Sequence, residues 1–431
     1  MRILLFTGKG GVGKSTVSAG TAAMSAARGL RTLVLSTDAA HSLGDAFGVT
    51  GALGSEPVEV TPHLYVQHVD AQRRFEQSWA EVQGYLLSVL DTIGVDRIAA
   101  EELTVIPGAE EVFALLELRR MAVSGEWDTI VVDCAPTAET LRLLALPEAL
   151  GWYLERILPV QRKMVKALKP VLTKAAGVPM PGDSVFDALV RLHDELAEVR
   201  ELLSGPEASV RIVLTPERVV LAEARRSWTT LSLYGYRVDG VVANRIFPAG
   251  GSDDWRAGWV KAQDDVLGDV GASFEGLPVW RSFYRPTEPV GVDDLREVAE
   301  AAYASALRAV TPSLGASGRA SSPLDLAQVV WTGSVDPLAV PDTPAPFRTE
   351  ADGDTTVVRL ALPGLAQWVE RDQVQLGRNG DELAITVGGY RRLLTLPAAL
   401  ARMRVSGARV EGGELRVTFS RQTTNTESEK S

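Results

Sequence analysis

A single cysteine, Cys134, stands in a chain of 431 residues. That count excludes an internal disulfide, and with it any one-chain site of clustered thiolates for zinc, an iron–sulfur cluster or arsenite. Histidines number only 4, so a four-ligand zinc site is not expected and no zinc is predicted. Basic surplus is missing too. The formal net charge is −11, whereas a general nucleic-acid binder needs a basic face that neutralises phosphates; no nucleic-acid partner is expected. No run approaches the roughly 18 uncharged apolar residues that cross a bilayer, so the chain is not expected to span a membrane. The apolar run 2–6 stops at Thr7-Gly8-Lys9 with no cleavage pattern behind it. It therefore reads as a buried first strand rather than a leader, and the cytoplasm is the expected compartment.

What is present is ordinary for a folded protein: 45% of residues are hydrophobic and 23% charged. The length exceeds what one core usually supports, so two domains are expected. Apolar runs at 2–6, 31–36, 65–69, 129–132, 210–214 and 238–243 alternate with helix-like segments, beginning with 15–28, which Gly29 closes. This alternation predicts an α/β fold with a mostly parallel sheet flanked by helices. It lapses over about 147–205, read as a helical subdomain. There Val185, Leu189, Leu192, Leu196, Val199 and Leu203 recur at helical spacing behind a Ser184 cap, while Pro159 and Pro170 break or kink the stretch 151–174. A last helix is expected near 293–309, closing a first domain over 1–310. A Ser/Gly/Pro-rich linker follows at 311–346, then short strands split by Gly, Pro and Asn-Gly predict a small all-β domain over 347–421, ahead of a polar, disordered tail at 422–431.

Gly8-Lys9-Gly10-Gly11-Val12-Gly13-Lys14-Ser15 satisfies G-x-x-x-x-G-K-[ST] between a strand and a helix. The glycines let backbone N–H groups, continuing to Thr16, turn in on phosphates. The helix N-terminus adds its positive end, Lys14 reaches the terminal phosphates, and Ser15 offers a hydroxyl to Mg2+. ATP is the expected substrate and Mg2+ the expected cofactor. A second lysine, Lys9, sits within this loop, and KGGVGKS resembles the "deviant" subclass of P-loop ATPases. There the corresponding lysine reaches the nucleotide of a partner subunit, so the resemblance implies a catalytic role for Lys9 and a nucleotide-dependent homodimer.

Two further segments narrow the resemblance. Ser36-Thr37-Asp38-Ala39-Ala40-His41-Ser42-Leu43-Gly44-Asp45-Ala46-Phe47 resembles the first switch of the arsenite-transporter and tail-anchored-protein targeting ATPase family, which implies that Asp38 positions and polarises the attacking water. Val131-Val132-Asp133-Cys134-Ala135-Pro136-Thr137-Ala138-Glu139-Thr140-Leu141-Arg142-Leu143-Leu144 resembles its second switch, in which Asp133 orders Mg2+ and its waters. Ala39 stands for the family's proline, Cys134 for a threonine and Ala138-Glu139 for a Gly-His pair, departures that spare the carboxylates. Val105-Ile106-Pro107-Gly108-Ala109-Glu110-Glu111 matches another family element. Thr215-Pro216-Glu217, with Glu223, matches a segment whose glutamates sense the partner's site. Val241-Val242-Ala243-Asn244-Arg245 resembles the strand end whose asparagine recognises adenine, with the loop 281–291 covering the base.

The later strands, around Thr356-Val357-Val358-Arg359-Leu360-Ala361-Leu362-Pro363-Gly364, Asp381-Glu382-Leu383-Ala384-Ile385-Thr386-Val387 and Glu414-Leu415-Arg416-Val417-Thr418-Phe419, resemble the α-crystallin domain of small heat-shock proteins, a β-sandwich. Taken together, the resemblances imply an ATP-hydrolysing chaperone or targeting ATPase that closes as a homodimer around hydrophobic client segments, with a membrane receptor as a further possible partner. Two alternatives stand beside it. One is the soluble motor of an arsenite-type anion pump, though the metalloid site there is made of cysteines and the motor is a tandem duplication. The other is a nucleotide-switched interaction module acting through the α-crystallin-like domain. DNA-partitioning, nitrogenase-type and division-site relatives fit less well, lacking here the basic face, the cysteine ligands and the basic C-terminal helix they require. The apolar positions of the helical subdomain serve either as core or as a client groove; Trp152, Ile157, Met164, Val165, Leu168 and Val171 are the groove candidates.

Overall fold

A computed structural model describes residues 1–37, 42–49, 56–69, 109–134, 183–250, 253–305, 336–353, 355–365 and 373–421. Asp38 and the six groove candidates lie outside the described residues.

The first unit is built on an eight-stranded sheet of β1 (Arg2–Thr7), β2 (Thr32–Ser36), β3 (Val58–Thr61), β4 (Leu64–His68), β5 (Thr129–Asp133), β6 (Ala208–Leu214), β7 (Val238–Ile246) and β8 (Val279–Phe283). Their order is β3-β4-β2-β5-β1-β6-β7-β8. Every pairing is parallel except β3 with β4. The inner strands are buried on both faces, which is why they read as near-continuous Ile/Leu/Val runs rather than alternations. The short strands β3 and β8 were not expected from the sequence: neither carries an apolar run long enough to stand out, and each pairs on one side only.

Helices α1 (Lys14–Ala27), α2 (Ser42–Phe47), α3 (Ala109–Val123), α4 (Asp183–Ser204), α5 (Arg218–Leu233), α6 (Asp254–Ser273) and α7 (Val292–Ala304) accompany this sheet. α4 is the expected amphipathic helix and begins at Asp183, one residue before the expected Ser184 cap; Leu196, Val199 and Leu203 are buried on its inner face. α7 ends at Ala304 with Ser305 as its C-cap.

The second unit has two antiparallel sheets. One, ordered β14-β15-β10-β9, contains β9 (Phe347–Asp352), β10 (Thr355–Ala361), β14 (Arg404–Glu411) and β15 (Glu414–Ser420); the other, β11-β12-β13, contains β11 (Val374–Asn379), β12 (Glu382–Val387) and β13 (Tyr390–Thr395). A one-turn helix, α8 (Ala398–Ala401), precedes β14. Period-two alternation sends Val358, Leu360, Leu383, Ile385, Val387, Leu415, Val417 and Phe419 into a shared core. The architecture is therefore α/β followed by a small all-β sandwich.

Part of the stretch read as linker is held against the first unit. Arg28 Nη1 bonds Asp336 Oδ1 at 2.7 Å, Arg211 Nη2 donates to the Pro337 carbonyl at 2.8 Å, and Leu338 joins the core of the α/β unit.

Candidate functional site

The loop after β1 is approached closely on both sides, by the β6 backbone at Gly8 and by the Asn244 side chain at Gly13, leaving no room for a Cβ at either. A Cβ on Gly8 would come within 2.1 Å of the Val213 carbonyl oxygen, and one on Gly13 within 2.3 Å of Asn244 Nδ2. Val12 is buried and its N–H points to the Lys9 carbonyl at 3.5 Å, closing the turn, while Gly10 and Gly11 face outward. Gly13 is the N-cap of α1 in the left-handed region, φ 89°, and no side chain caps the helix. The first N–H groups of α1 are thus left for whatever the loop encloses, and the dipole favours an anion there.

Lys14, the first residue of α1, is only 7% exposed. Asp133, the last residue of β5, is fully buried and lies in register with Phe6 of β1 and Ser36 of β2, so the C-terminal ends of three strands meet beside the loop. Thr37 donates its backbone N–H to the Asp133 carbonyl at 3.0 Å, and Cys134 donates its own to Phe6 at 3.1 Å. The Cys134 thiol is pushed up to about 12, first by burial and then by the Asp133 charge, with Lys14 pulling the other way. The opposed pulls place a cation and an anion around one strand end. Ser15 and Thr16 are half-buried on the first turn of α1.

Glu217 and Glu223 enter from the N-terminal end of α5. Glu217 is the N-cap residue, and its Oε1 accepts from Thr215 Oγ1 at 3.0 Å instead of capping the helix. Glu223 Oε2 stands 3.9 Å from Lys9 Nζ, with both side chains partly exposed. Lys9, expected to reach a partner's nucleotide, is thus turned toward its own α5. Asn244, near the end of β7, donates Nδ2 to the Val12 carbonyl at 2.9 Å and braces the back of the loop. The structure brings Gly8 to Thr16, Asp133, Asn244 and Glu223 to one edge of the sheet.

Two features were missed by sequence reading. Arg211, 1% exposed in the middle of β6, is bound by Asp239 on β7, by the Tyr303 hydroxyl at 2.7 Å and by the face of Trp280 at 4.4 Å. Burial works against its charge, but Asp239 and Tyr303 outweigh this and raise its pKa overall. Arg2 and Ser209 complete the cluster on Asp239, and Tyr303 reaches Thr21 of α1 at 2.7 Å. The signal was available: Arg211 is the one charge in the apolar run of β6, and a charge buried there has to be paired. The second feature is an aromatic cluster in which Phe247 lies 4.8 Å from Tyr284 and 6.0 Å from Trp255, with Trp259 beside them. Its signal was the i, i+4 spacing of Trp255 and Trp259.

Among the described residues no three His, Cys, Asp or Glu side chains gather into a metal site, and no helix is long and apolar enough to cross a membrane.

Comparison with known proteins finds similarity over both units. Residues 1–304 match the family profile described as "Anion-transporting ATPase", and residues 353–419 match an "HSP20-like domain found in ArsA". A "Putative arsenical pump-driving ATPase" of Chlorobaculum tepidum is 33% identical over 423 residues, covering 97% of this chain and 96% of the relative. "Uncharacterized protein SCO2128" of Streptomyces coelicolor is 37% identical over 422 residues, covering 97% of each. "ATPase GET3B" of Arabidopsis thaliana is 30% identical over 266 residues, 57% of this chain and 64% of the relative.

Proposed function

We propose, because this chain belongs to the anion-transporting ATPase family, that it hydrolyses ATP as a homodimer whose nucleotide-driven closure controls the binding of hydrophobic protein segments. The observation that carries the proposal is the different setting of the two loop lysines. Lys14 is buried at the head of α1 beside the Asp133 strand end, where it serves the phosphates of its own subunit. Among the described residues, the Lys9 ammonium is held by a partly exposed pair with Glu223 at 3.9 Å. Such a pair is worth at most about 1 kcal/mol, so the phosphates of a nucleotide across a dimer interface outcompete it readily.

The donors present fit Mg2+, a hard cation that takes oxygen ligands: a hydroxyl from Ser15 and a carboxylate from Asp133. The ion supplies charge neutralisation on the phosphates. The loop N–H groups and the start of α1 bind and orient the phosphates, Lys14 adds a fixed positive charge, and Asp38 aligns the attacking water. Asn244 fixes the loop from behind through Val12, so any contact it makes with adenine also reports on loop position.

The reading as an anion-pump motor takes its support from the printed name of the Chlorobaculum relative. Against it stands Cys134, the sole thiol, buried and with its pKa pushed up to about 12. A metalloid site needs several accessible thiolates.

The test is a set of three variants assayed for nucleotide binding, turnover and ATP-dependent dimer closure by sedimentation. Lys14→Ala should lose nucleotide binding, whereas Lys9→Ala should bind and neither close nor turn over. Asp38→Asn should bind ATP and lose about 100-fold or more in turnover, the contribution of a positioned base. Parental turnover in Lys9→Ala would remove the intersubunit role. Capture of a hydrophobic helical peptide in the ATP state, lost on changing a groove candidate such as Met164→Asp with the melting temperature kept, separates the client reading from the pump reading.

A further inference from the structure

We infer that the C-terminal β-sandwich positions the nucleotide site, with Arg392 as the positioning residue that acts through α5. The inference rests on the ATPase reading given above for what the site does, but the coupling itself stands on separate observations.

α5 is packed along its length on the α/β core, through Val220, Leu221, Ala224 and Leu231, and only its last residue enters the other core. That residue, Leu233, is 0% exposed and buried in the core of the β-sandwich. Arg392 crosses the junction from the middle of β13 and is itself only 5% exposed. Its Nη1 donates to the Leu233 carbonyl at 2.6 Å, one of the carbonyls that the end of α5 leaves without a helical partner. A cation there also meets the negative end of the helix dipole. Gly235, at φ 90° just beyond the helix, leaves room for this: a Cβ would lie 3.4 Å from both guanidinium NH nitrogens. Thr229 Oγ1 donates to the Pro363 carbonyl at 2.6 Å, and Tyr234 Oη donates to the Arg391 carbonyl at 3.3 Å. Three side chains thus fasten the last turn of α5 to the sandwich.

The first turns of the same helix carry Glu217 and Glu223, and Glu223 faces Lys9. Leu233 lies ten residues beyond Glu223, about 15 Å along a rigid rod. Whatever fixes the rotation and tilt of α5 at Leu233 therefore fixes where the Glu223 carboxylate stands relative to the loop. The sandwich acts on Lys9 and Glu223 without touching nucleotide.

The test uses the full-length protein. Arg392→Met keeps the volume and removes the donors; Arg392→Lys restores a cation that can reach the carbonyl. The measurements are kcat and KM for ATP, together with hydrogen exchange of the backbone amides at 217–223 and at 229–234. Arg392→Met should leave KM within about twofold and lower kcat about tenfold, less than the 10²-fold that a 1 Å misplacement remote from the chemistry can cost. Exchange should quicken at both ends of α5, and Arg392→Lys should recover most of the loss. Should Arg392→Met unfold the sandwich, Thr229→Val breaks the Pro363 bond from the other side and should shift kcat and exchange in the same direction. Faster exchange at 229–234 with unchanged exchange at 217–223 would overturn the coupling, as would an unchanged kcat. If the parent chain hydrolyses no ATP, the functional reading falls, and exchange at 217–223 still decides for or against the coupling.

Discussion

Replacing Gly20 with alanine opposes two well-measured effects, and the structure says which one wins. Gly20 lies in the interior of α1, where alanine in place of glycine gains about 1 kcal/mol of helix propensity. A Cβ there, however, would meet the Leu295 carbonyl oxygen of α7 at 2.4 Å and the Ala299 methyl at 3.2 Å. Carbon and carbonyl oxygen rest about 3.3–3.6 Å apart, so the two helices must separate by about 1 Å. The obstacle is backbone, and no rotamer relieves it. Overpacking of this kind costs about 1–3 kcal/mol, and because the obstacle is a carbonyl rather than a side chain the upper half of that range applies, leaving Gly20→Ala destabilised by about 1–2 kcal/mol after the propensity gain. Gly268 in α6 is the control: no atom lies within 4 Å of its would-be Cβ, so Gly268→Ala should stabilise by about 0.5–1 kcal/mol. At roughly 2–4 °C per kcal/mol, calorimetry should show the two melting temperatures moving in opposite directions. Because α1 begins at Lys14 and Ser15, Gly20→Ala should also raise KM for ATP, which Gly268→Ala should not. A melting temperature for Gly20→Ala at or above the parent's would refute the claim that α1 and α7 are in limiting contact.

Cys134 should resist iodoacetamide at pH 8 until the chain unfolds, because a thiol held at about 12 is thiolate to only about one part in 10⁴ at that pH; alkylation of native protein at the denatured rate would contradict its burial. Its raised pKa implies that the folded state binds the proton more tightly, so this contribution to stability is full below the ordinary value of 9.0 and is lost as pH rises toward about 12. Denaturant midpoints at pH 8 and 10, compared with Cys134→Ala, should show the parent falling more steeply. Asp239→Ala should cost about 3–5 kcal/mol by stranding Arg211 and Arg2 in the core, and a urea midpoint corresponding to less than about 1 kcal/mol would show that the guanidiniums find other partners.

The legible parts of the fold were those where one physical signal dominates. β1, β2, β5, β6 and β7 are buried on both faces, so their apolar runs stand out. α4 is amphipathic enough for its period to show in six residues. The edge strands were hidden for the same reason. Val58–Thr61 has only half-buried and exposed positions, and Val279–Phe283 ends in an exposed phenylalanine. The phosphate loop was legible because its spacing is local and its backbone needs glycine, with Gly11 and Gly13 at φ 84° and 89°. The brace behind it was not, since Asn244 meets Val12 across 232 positions of sequence and no local pattern encodes that encounter.

Within the stretch that reads as linker, residues 336–338 make contacts that composition does not announce. Ser, Gly and Pro report on local stiffness and solubility, and by that measure 336–338 belongs with the residues before it. What holds it is a set of distant partners, each unusual in its own place: Arg28 just past the end of α1, and Arg211, a charge inside a buried strand. Arg211 needs more acceptors than Asp239 alone provides, because a buried guanidinium carries five donors. The Pro337 carbonyl supplies one, at 2.8 Å. The Asp336 carboxylate is pushed up by its partial burial, but the Arg28 hydrogen bond, the Leu338 N–H and the Arg28 charge hold it below the usual range, so it stays ionised and paired near neutral pH. A buried cation in β6 thereby dictates where a chain segment 126 positions later must lie. The sandwich that follows is tethered close to α5, the helix whose last turn it grips through Arg392 and Thr229.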